Sequence, residues 1–495
     1  MNKASAWLQR WLPVLSRYLP PSGLAAVGVL LVTVIALFTR PYIGMADNGD
    51  FFRILYSNGL YFNAPDYNSQ YLGYFVKDFG ILQYFNENGT TLTSSQSLFI
   101  KMSIWLNKLL IDSQHFDVRV QAALFTILYI GGVYLLVEGL TSRMTAGKGY
   151  IIAFMAVLVF GDTAYTAYFN SFYSESIVWI MMIYLFASGL LLYRRRYNDY
   201  VLLGIFAISA LLLTTSKQQN APVGIIIGVM GIGLLWVRNK RGFQVLAAGS
   251  LVLIVAAGAA SYVLIPKEFV NINKYHAMTR GVLNGAAEPE ETLQSLGIDR
   301  QYAILSGSIY YEPYTTVDVN SPLLEQRFYN HYGFGSILKY YLTHPGQAGS
   351  MLNLAARDAF IIRPAAMGNY EKMAGKPFGE QTRFFSGYSL LKAAMTPKTF
   401  GFILIWMIVI LGMYTPSFLA ELRSKHRRGL IRLPLLLMMI AMGLSGIAVS
   451  IIGAGDADLA KHEFMFTAAF DLVTLALVSD LIRGSIWQPE EVDAS

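Results

Sequence analysis

Two pairs of acidic residues lie where apolar stretches of the chain end. Asp47 and Asp50 follow the first long apolar run, and Asp162 and Glu175 bracket a polar connection between two later ones. Ionisable groups at the ends of membrane spans are costly, so a chemical role is the default expectation. Paired carboxylates suit a general base or a divalent metal site. The alternative for the first pair is a helix cap with a solvated partner, because the intervening Asn-Gly is a turn signal.

The connection between Asp162 and Glu175 is rich in aromatic and amide side chains. Carboxylates flanked by Tyr and Asn are typical of a sugar-binding surface, which combines ring stacking with hydrogen bonds to hydroxyls. An aromatic belt with helix caps explains the tyrosines well, but it explains an acid at each end less well. The pattern therefore predicts substrate-binding roles for Asp162, Tyr168, Asn170, Tyr173 and Glu175.

Basic residues occur in two short loops that are otherwise poor in Lys and Arg. Lysines are uncommon in the short outer loops of membrane proteins. Their presence here favours an anionic partner such as a phosphate. A lysine that reaches toward lipid head groups is the alternative for either loop alone. The predicted contacts are Lys217 with Gln218 and Asn220, Lys461 and His462 with the nearby Asp458, and Arg363 in a later long loop.

Composition identifies the class of protein. The chain is 54% hydrophobic and only 14% charged, which indicates an integral membrane protein. The net charge of +7 does not indicate nucleic acid, because Lys and Arg cluster in short loops between apolar runs. The absence of cysteine excludes disulfides and thiolate metal sites. The histidines lack the spacing of a zinc pair, and a nucleophilic serine motif is missing, so a covalent hydrolase is not expected.

The hydropathy pattern predicts an all-α polytopic protein with about ten transmembrane helices. Each span needs about 20 residues to cross about 30 Å of hydrocarbon. The third stretch is short enough to be broken or only partly inserted. The predicted spans lie near residues 22–39, 118–140, 149–161, 175–193, 199–215, 221–237, 243–265, 398–419, 432–453 and 464–482.

Charge in the loops predicts the orientation. Arginine-rich loops, such as Arg194 to Arg196, all fall on one side, so the positive-inside rule places both termini in the cytoplasm. Apolar residues at helical spacing from Ser97 to Ser113 predict an interfacial helix. The predicted division is a cytoplasmic amphipathic helix (1–21), a core of seven spans (22–265) that includes the first extracytoplasmic loop (40–117), a large extracytoplasmic segment (266–397), three further spans (398–482) and a cytoplasmic tail (483–495).

Three sequence stretches on this topology resemble a known group of enzymes. They are Asp47 to Phe51, Tyr168 to Glu175 and Asp458 to Phe466. They resemble the C-type integral-membrane glycosyltransferase superfamily, and within it a bacterial branch of glycan-biosynthesis hexose transferases.

The resemblance implies a multi-pass enzyme of the bacterial plasma membrane. Its donor would be a polyprenyl-phosphate-linked sugar in the outer leaflet, its acceptor a cell-surface glycan or glycolipid, and transfer would invert the anomeric carbon. The family pattern would make Asp50 the general base, with Asp47 next in line. Lys217, Lys461 and His462 would face the lipid phosphate. A divalent cation is neither required nor excluded.

Two other functions fit the same class of protein. A transporter or flippase of lipid-linked sugars predicts acids near the middle of the bilayer and paired broken helices. Here the acids lie at span ends and the loops are asymmetric, which favours the enzyme. A surface-glycan polymerase or ligase shares the donor and the topology, and the sequence does not separate it from a transferase.

Overall fold

The computed structural model describes residues 16–63, 71–84, 94–312, 314–457, 459–484 and 486–487. Most of the predicted N-terminal amphipathic helix, nearly all of the C-terminal tail and Asp458 lie outside these ranges. The described chain is mostly helical, and the predicted all-α polytopic fold is confirmed.

Apolar helices occupy all ten positions predicted for membrane spans. Eight of these, two with a flanking 3₁₀ turn, reach 18 residues or more within the described chain and are apolar enough to cross a membrane. The third is bent by 49° against the helical turns of residues 163–170. The fifth is an apolar helix of 16 residues and does not reach that length. Their bounds are α1 Pro21–Phe38, α2 Arg119–Thr141, α3 Ala146–Phe160, α4 Glu175–Arg194, α5 Asp199–Thr214, α6 Ala221–Met230, α7 Arg241–Val263, α8 Phe400–Arg423, α9 Arg432–Ala454 and α10 Phe464–Arg483.

Helix α4 is the centre of the bundle. Within its apolar window 94% of the residues are buried, against 28% in α7 and α8. It packs against α2, α5, α9 and α10. Since α4 is held on several sides, its first residue, Glu175, has a fixed position.

Buried ion pairs connect the helices at one end of the bundle. Asp480 of α10 accepts from Arg194 at 3.0 Å and lies 2.6 Å from Arg432. Asp199 is paired with Arg428 at 2.8 Å. We call this end the arginine face.

The other end, the loop face, carries the two long segments 39–118 and 264–399. Strand β1 (Ile43–Met45) of the first segment pairs antiparallel with strand β5 (Met367–Tyr370) of the second. The first segment also forms a three-stranded sheet of β2 (Leu60–Phe62), β3 (Asp78–Ile81) and β4 (His115–Asp117). The two segments are therefore joined by hydrogen bonds.

Further helices complete the loop face. The predicted interfacial helix is Ser95–Leu110, which begins where the Ser94 side chain accepts a hydrogen bond from the Gln96 amide. Its outer side exposes Leu98 and Trp105, as expected for a helix on a membrane surface. The remaining helices are Phe51–Ser57, Lys267–His276, Pro289–Ser295, Pro322–Arg327, Phe334–Thr343, Pro345–Asp358 and Gly387–Met395.

Candidate functional site

The two acids of the first loop have different surroundings. Asp47 is buried, and its Oδ1 accepts hydrogen bonds from the amides of Gly49 at 2.8 Å and Phe51 at 3.1 Å. Gly49 has a φ of +99°, which favours glycine at this turn. Asp47 therefore shapes the turn, as the capping interpretation expected. Asp50 begins the helix Phe51–Ser57, and its side chain is 38% exposed.

Asp50 is surrounded by groups that stabilise its negative charge. Its Oδ2 accepts from the Lys461 ammonium at 2.5 Å and from the Tyr173 hydroxyl at 3.3 Å. Its Oδ1 lies 3.9 Å from the Arg53 guanidinium. The Lys461 nitrogen also lies 4.2 Å from the centre of the Tyr173 ring. Residues 411 positions apart in sequence thus form one cluster.

The charge on Asp50 is strongly favoured. Partial burial raises the pKa of its carboxyl, but the Lys461 ammonium and the Arg53 guanidinium act together in the opposite direction, and the pKa falls to about 2. Asp50 is therefore ionised throughout the physiological range.

A second lysine–carboxylate pair lies at the start of α4. The Lys217 ammonium donates to Oε1 of Glu175 at 2.9 Å. Glu175 is almost fully buried, and its Oε2 has no hydrogen-bond partner among the described residues. A buried acceptor without a donor is costly in protein, so this oxygen is a candidate ligand contact.

One residue of each pair, Lys461 and Glu175, lines a cleft on the loop face. The cleft has a volume of about 90 Å³. The Oδ1 atom of Asn48, which also lines it, is buried and has no hydrogen-bond partner in the described part of the chain. The cleft is lined by Met45, Asn48, Leu72, Tyr168, Tyr173, Glu175, Lys461 and residues 364–366.

His462 lies behind Lys461 and contacts the loop that carries Lys217. Its Nδ1 is 2.9 Å from Oε1 of Gln219, whose amide nitrogen donates to the His462 carbonyl at 3.1 Å. Burial and the two neighbouring lysines lower the pKa of His462 well below its usual value. The imidazole is therefore neutral, and it positions the two basic loops beside each other.

The structure places Asp162 away from the cleft, contrary to the predicted substrate contact. Its side chain is fully buried. It accepts hydrogen bonds from the Ala164 amide at 2.8 Å and from the Ser389 amide and hydroxyl at 2.9 and 2.8 Å. Asp162 is a helix cap that also fixes the helix Gly387–Met395, and no face remains for a sugar.

Four further predicted contacts also lie outside the lining of the cleft, which likewise does not include Asp47, Asp50, Lys217 or His462. Asn170 donates to the Ile43 carbonyl at 2.8 Å and so anchors β1. Asn220 donates to the Ser216 hydroxyl at 3.0 Å, and Gln218 opens the same 3₁₀ turn. Arg363 donates to the Thr382 carbonyl at 2.5 Å. These side chains stabilise the conformation of the loops. Of the predicted site residues, four line the cleft: Tyr168, Tyr173, Glu175 and Lys461.

Sequence reasoning missed three residues at the site. Asn48 and Arg53 flank Asp50, so their position in the acidic stretch was the available signal. Tyr311 reaches Arg53 from the other long segment and accepts a hydrogen bond from it at 2.6 Å. Its contact joins residues 258 positions apart, for which the sequence offered no signal. Among the described residues, no group of three or more His, Asp or Glu side chains is arranged so that it could hold a metal ion.

The comparisons with known proteins identify a membrane-protein family. No curated protein matches the sequence at a significant level. The family model described as the YfdI N-terminal transmembrane domain matches residues 3–494. Since this match covers nearly the whole chain, the protein belongs to the family of the YfdI N-terminal transmembrane domain.

Proposed function

We propose that the protein is an inverting membrane glycosyltransferase that uses a polyprenyl-phosphate-linked sugar and acts on a glycan or glycolipid acceptor. The loop face would be the extracytoplasmic side of a bacterial plasma membrane, with both termini in the cytoplasm, because the arginine-rich loops lie at the other end. The observation that carries the proposal is that Lys461 and Glu175 line one cleft. Lys461 is paired with the ionised Asp50 carboxylate, and Glu175 is paired with the Lys217 ammonium.

Asp50 has the properties of the general base. The acceptor hydroxyl would attack the anomeric carbon, so that a new C–O bond forms as the bond from that carbon to the phosphate oxygen breaks. The electron pair of the broken bond leaves with the phosphate, and the hydroxyl proton passes to Asp50. A positioned carboxylate contributes about 10²–10⁴-fold to such a step.

The lysines suit the leaving group. A departing phosphate needs cationic partners rather than an acid, because it is already a stable anion. Without a ligand, Lys461 is paired with Asp50 and Lys217 with Glu175. A phosphate that draws Lys461 toward itself would weaken the Asp50 pair and raise the pKa of Asp50 from about 2. Donor binding would thus strengthen the base.

The orphan acceptors favour a sugar as the ligand. Oε2 of Glu175 and Oδ1 of Asn48 are buried without hydrogen-bond donors among the described residues, and both side chains line the cleft. A sugar carries several hydroxyl donors on one small ring and could satisfy both oxygens. A phosphodiester, which has no O–H group, offers no such donors.

The first test is the substitution Asp50→Asn in the purified full-length protein. Transfer from a polyprenyl-phosphate sugar should fall by about 10²–10⁴-fold, because the amide cannot accept the hydroxyl proton. Asp78→Asn is a matched control, since Asp78 lies half-exposed on the same face. Lys217→Ala should raise the donor KM.

Two outcomes would contradict the proposal. Undiminished transfer by the Asp50→Asn protein would remove the base. A wild-type protein that transfers no sugar from any polyprenyl-phosphate donor would leave the transporter interpretation in its place.

A further inference from the structure

The two oxygens of the Asp50 carboxylate have different neighbours. Oδ2 accepts hydrogen bonds from Lys461 and Tyr173, and both of these residues line the cleft. Oδ1 faces Arg53 instead. If the donor phosphate occupies the lysine side, Oδ1 marks the side from which the second substrate approaches.

Arg53 is held within a group of aromatic rings. The centre of its guanidinium lies 5.3 Å from the Phe52 ring, 5.0 Å from the Phe269 ring and 5.3 Å from the Tyr311 ring. Its side chain is only 14% exposed, because these rings cover it. We call Phe52, Phe269 and Tyr311 around Arg53 the aromatic platform. Its members come from both long segments of the loop face.

The platform is open to ligands on its outer side. Phe52 is 40% exposed and Tyr311 is 52% exposed. Glu268 is an exposed carboxylate whose charge acts on the Tyr311 hydroxyl, as does that of Asp50. Exposed aromatic faces beside carboxylates and a guanidinium match a sugar ring, which has apolar C–H faces and hydroxyl edges.

We propose that the aromatic platform binds the acceptor, a glycan whose terminal sugar stacks on Tyr311 and Phe52 and presents a hydroxyl to Oδ1 of Asp50. This inference rests on the proposed function and adds the acceptor site to it. Inversion in one displacement requires the acceptor and the leaving phosphate on opposite sides of the anomeric carbon. The division of the Asp50 neighbours into a lysine side and an aromatic side meets this requirement.

The substitutions Tyr311→Ala and Phe52→Ala test the platform in the full-length protein. Stacking is worth about 0.5–1.5 kcal/mol, so the acceptor KM should rise about two- to ten-fold while the donor KM stays constant. Tyr311→Phe keeps the ring and should retain most of the acceptor affinity. Tyr314→Ala is the matched control, because Tyr314 is a nearby tyrosine that is 94% exposed.

A binding measurement separates this inference from the proposed function. Saturation-transfer NMR would use oligosaccharides of one to four repeats, released by mild acid from bacterial surface polysaccharides, without any donor. A titration should give a Kd about two- to ten-fold higher for Tyr311→Ala, with a correspondingly weaker signal, and an unchanged Kd for Tyr314→Ala. If transfer occurs but Tyr311→Ala leaves the acceptor KM unchanged, the platform is overturned and the enzyme stands.

The remaining outcomes are equally decisive. If the protein transfers nothing, a signal that depends on Tyr311 still supports a glycan site at the platform. Equal signals from wild type and Tyr311→Ala, or no wild-type signal with any of the oligosaccharides, overturn the platform.

Discussion

Asp47 and Asp50 share a residue type and a loop, yet they have different tasks. Asp47 uses its carboxylate to hold two backbone amides of its own turn. Asp50 starts the next helix and meets Lys461 and Tyr173 from distant parts of the chain. The difference arises from the turn itself, which directs the Asp47 side chain inward and the Asp50 side chain toward Lys461 and Tyr173. Of the two, only Asp50 has the exposure that a base needs.

The proposed exchange of Lys461 between Asp50 and the donor predicts two different pH profiles. In the free protein the pKa of Asp50 is lowered to about 2, so kcat/KM for the donor should remain flat as the pH falls toward about 4. In the donor complex the Asp50 pKa is higher. Because the base must be ionised, kcat should fall on its acid side at a higher pH than kcat/KM does.

Steady-state kinetics from pH 4 to pH 8 would check this difference. If kcat and kcat/KM fall at the same acid pH, the Asp50–Lys461 ion pair persists when the donor binds, and the predicted exchange is wrong. Tyr173→Phe removes a weaker partner of Asp50 at 3.3 Å and should leave kcat/KM flat over this pH range.

At the scale of elements, a buried network fixes the helix Gly387–Met395 to α10. Lys392 donates to Asp471 at 2.5 Å and to the Thr467 hydroxyl at 2.6 Å. Tyr165 donates to the other Asp471 oxygen at 2.5 Å. Its ring stacks on Trp179 of α4, with centroids 4.0 Å apart. The network ties the loop face to two core helices, and its charges are partnered.

Breaking this network should destabilise the whole bundle. Lys392→Met leaves the Asp471 carboxylate buried without its cation and should cost about 3–5 kcal/mol. The double substitution Lys392→Met with Asp471→Leu removes both charges and should recover most of that loss. Lys376→Met is the control, because Lys376 is exposed. Thermal unfolding in detergent would measure the stability of each variant. A Lys392→Met protein as stable as wild type would contradict the prediction.

At the scale of the whole molecule, two chemically different ends face each other across the bundle. Buried arginine–carboxylate pairs close the arginine face. The long segments, the cleft and the aromatic platform occupy the loop face. Arginine-rich short loops, such as Arg194 to Arg196, lie on the arginine face, whereas the short loops of the loop face carry Lys217 and Lys461. The surplus of basic residues thus belongs to the arginine face, which supports a cytoplasmic location for it.

Single cysteines would test this orientation without background, because the chain contains no cysteine of its own. Met373→Cys on the loop face, where the side chain is 93% exposed, should react with a membrane-impermeant maleimide in intact cells. Lys240→Cys, in the exposed connection before α7, should react only after the membrane is opened. The reverse pattern would place the cleft in the cytoplasm and remove an outer-leaflet donor.

Much of the fold could be predicted from the sequence. Hydropathy is a sum over neighbouring residues, so the ten apolar helices lie close to their predicted positions, including the bend after Phe160. Tyr173, Glu175 and Lys461 were also predicted, because polar side chains at the ends of apolar runs are few and conspicuous.

The tertiary structure alone decided which of these polar groups share a site. The Asp162 carboxylate accepts a hydrogen bond from Ser389, which is 227 positions away, whereas Asp50 accepts one from Lys461, which is 411 positions away. Whether a carboxylate is a cap or a reactive group depends on the donors that other segments bring to it. Local sequence sets the residue types and the helices, but burial and pairing arise from contacts between segments remote in the chain, which no local pattern encodes.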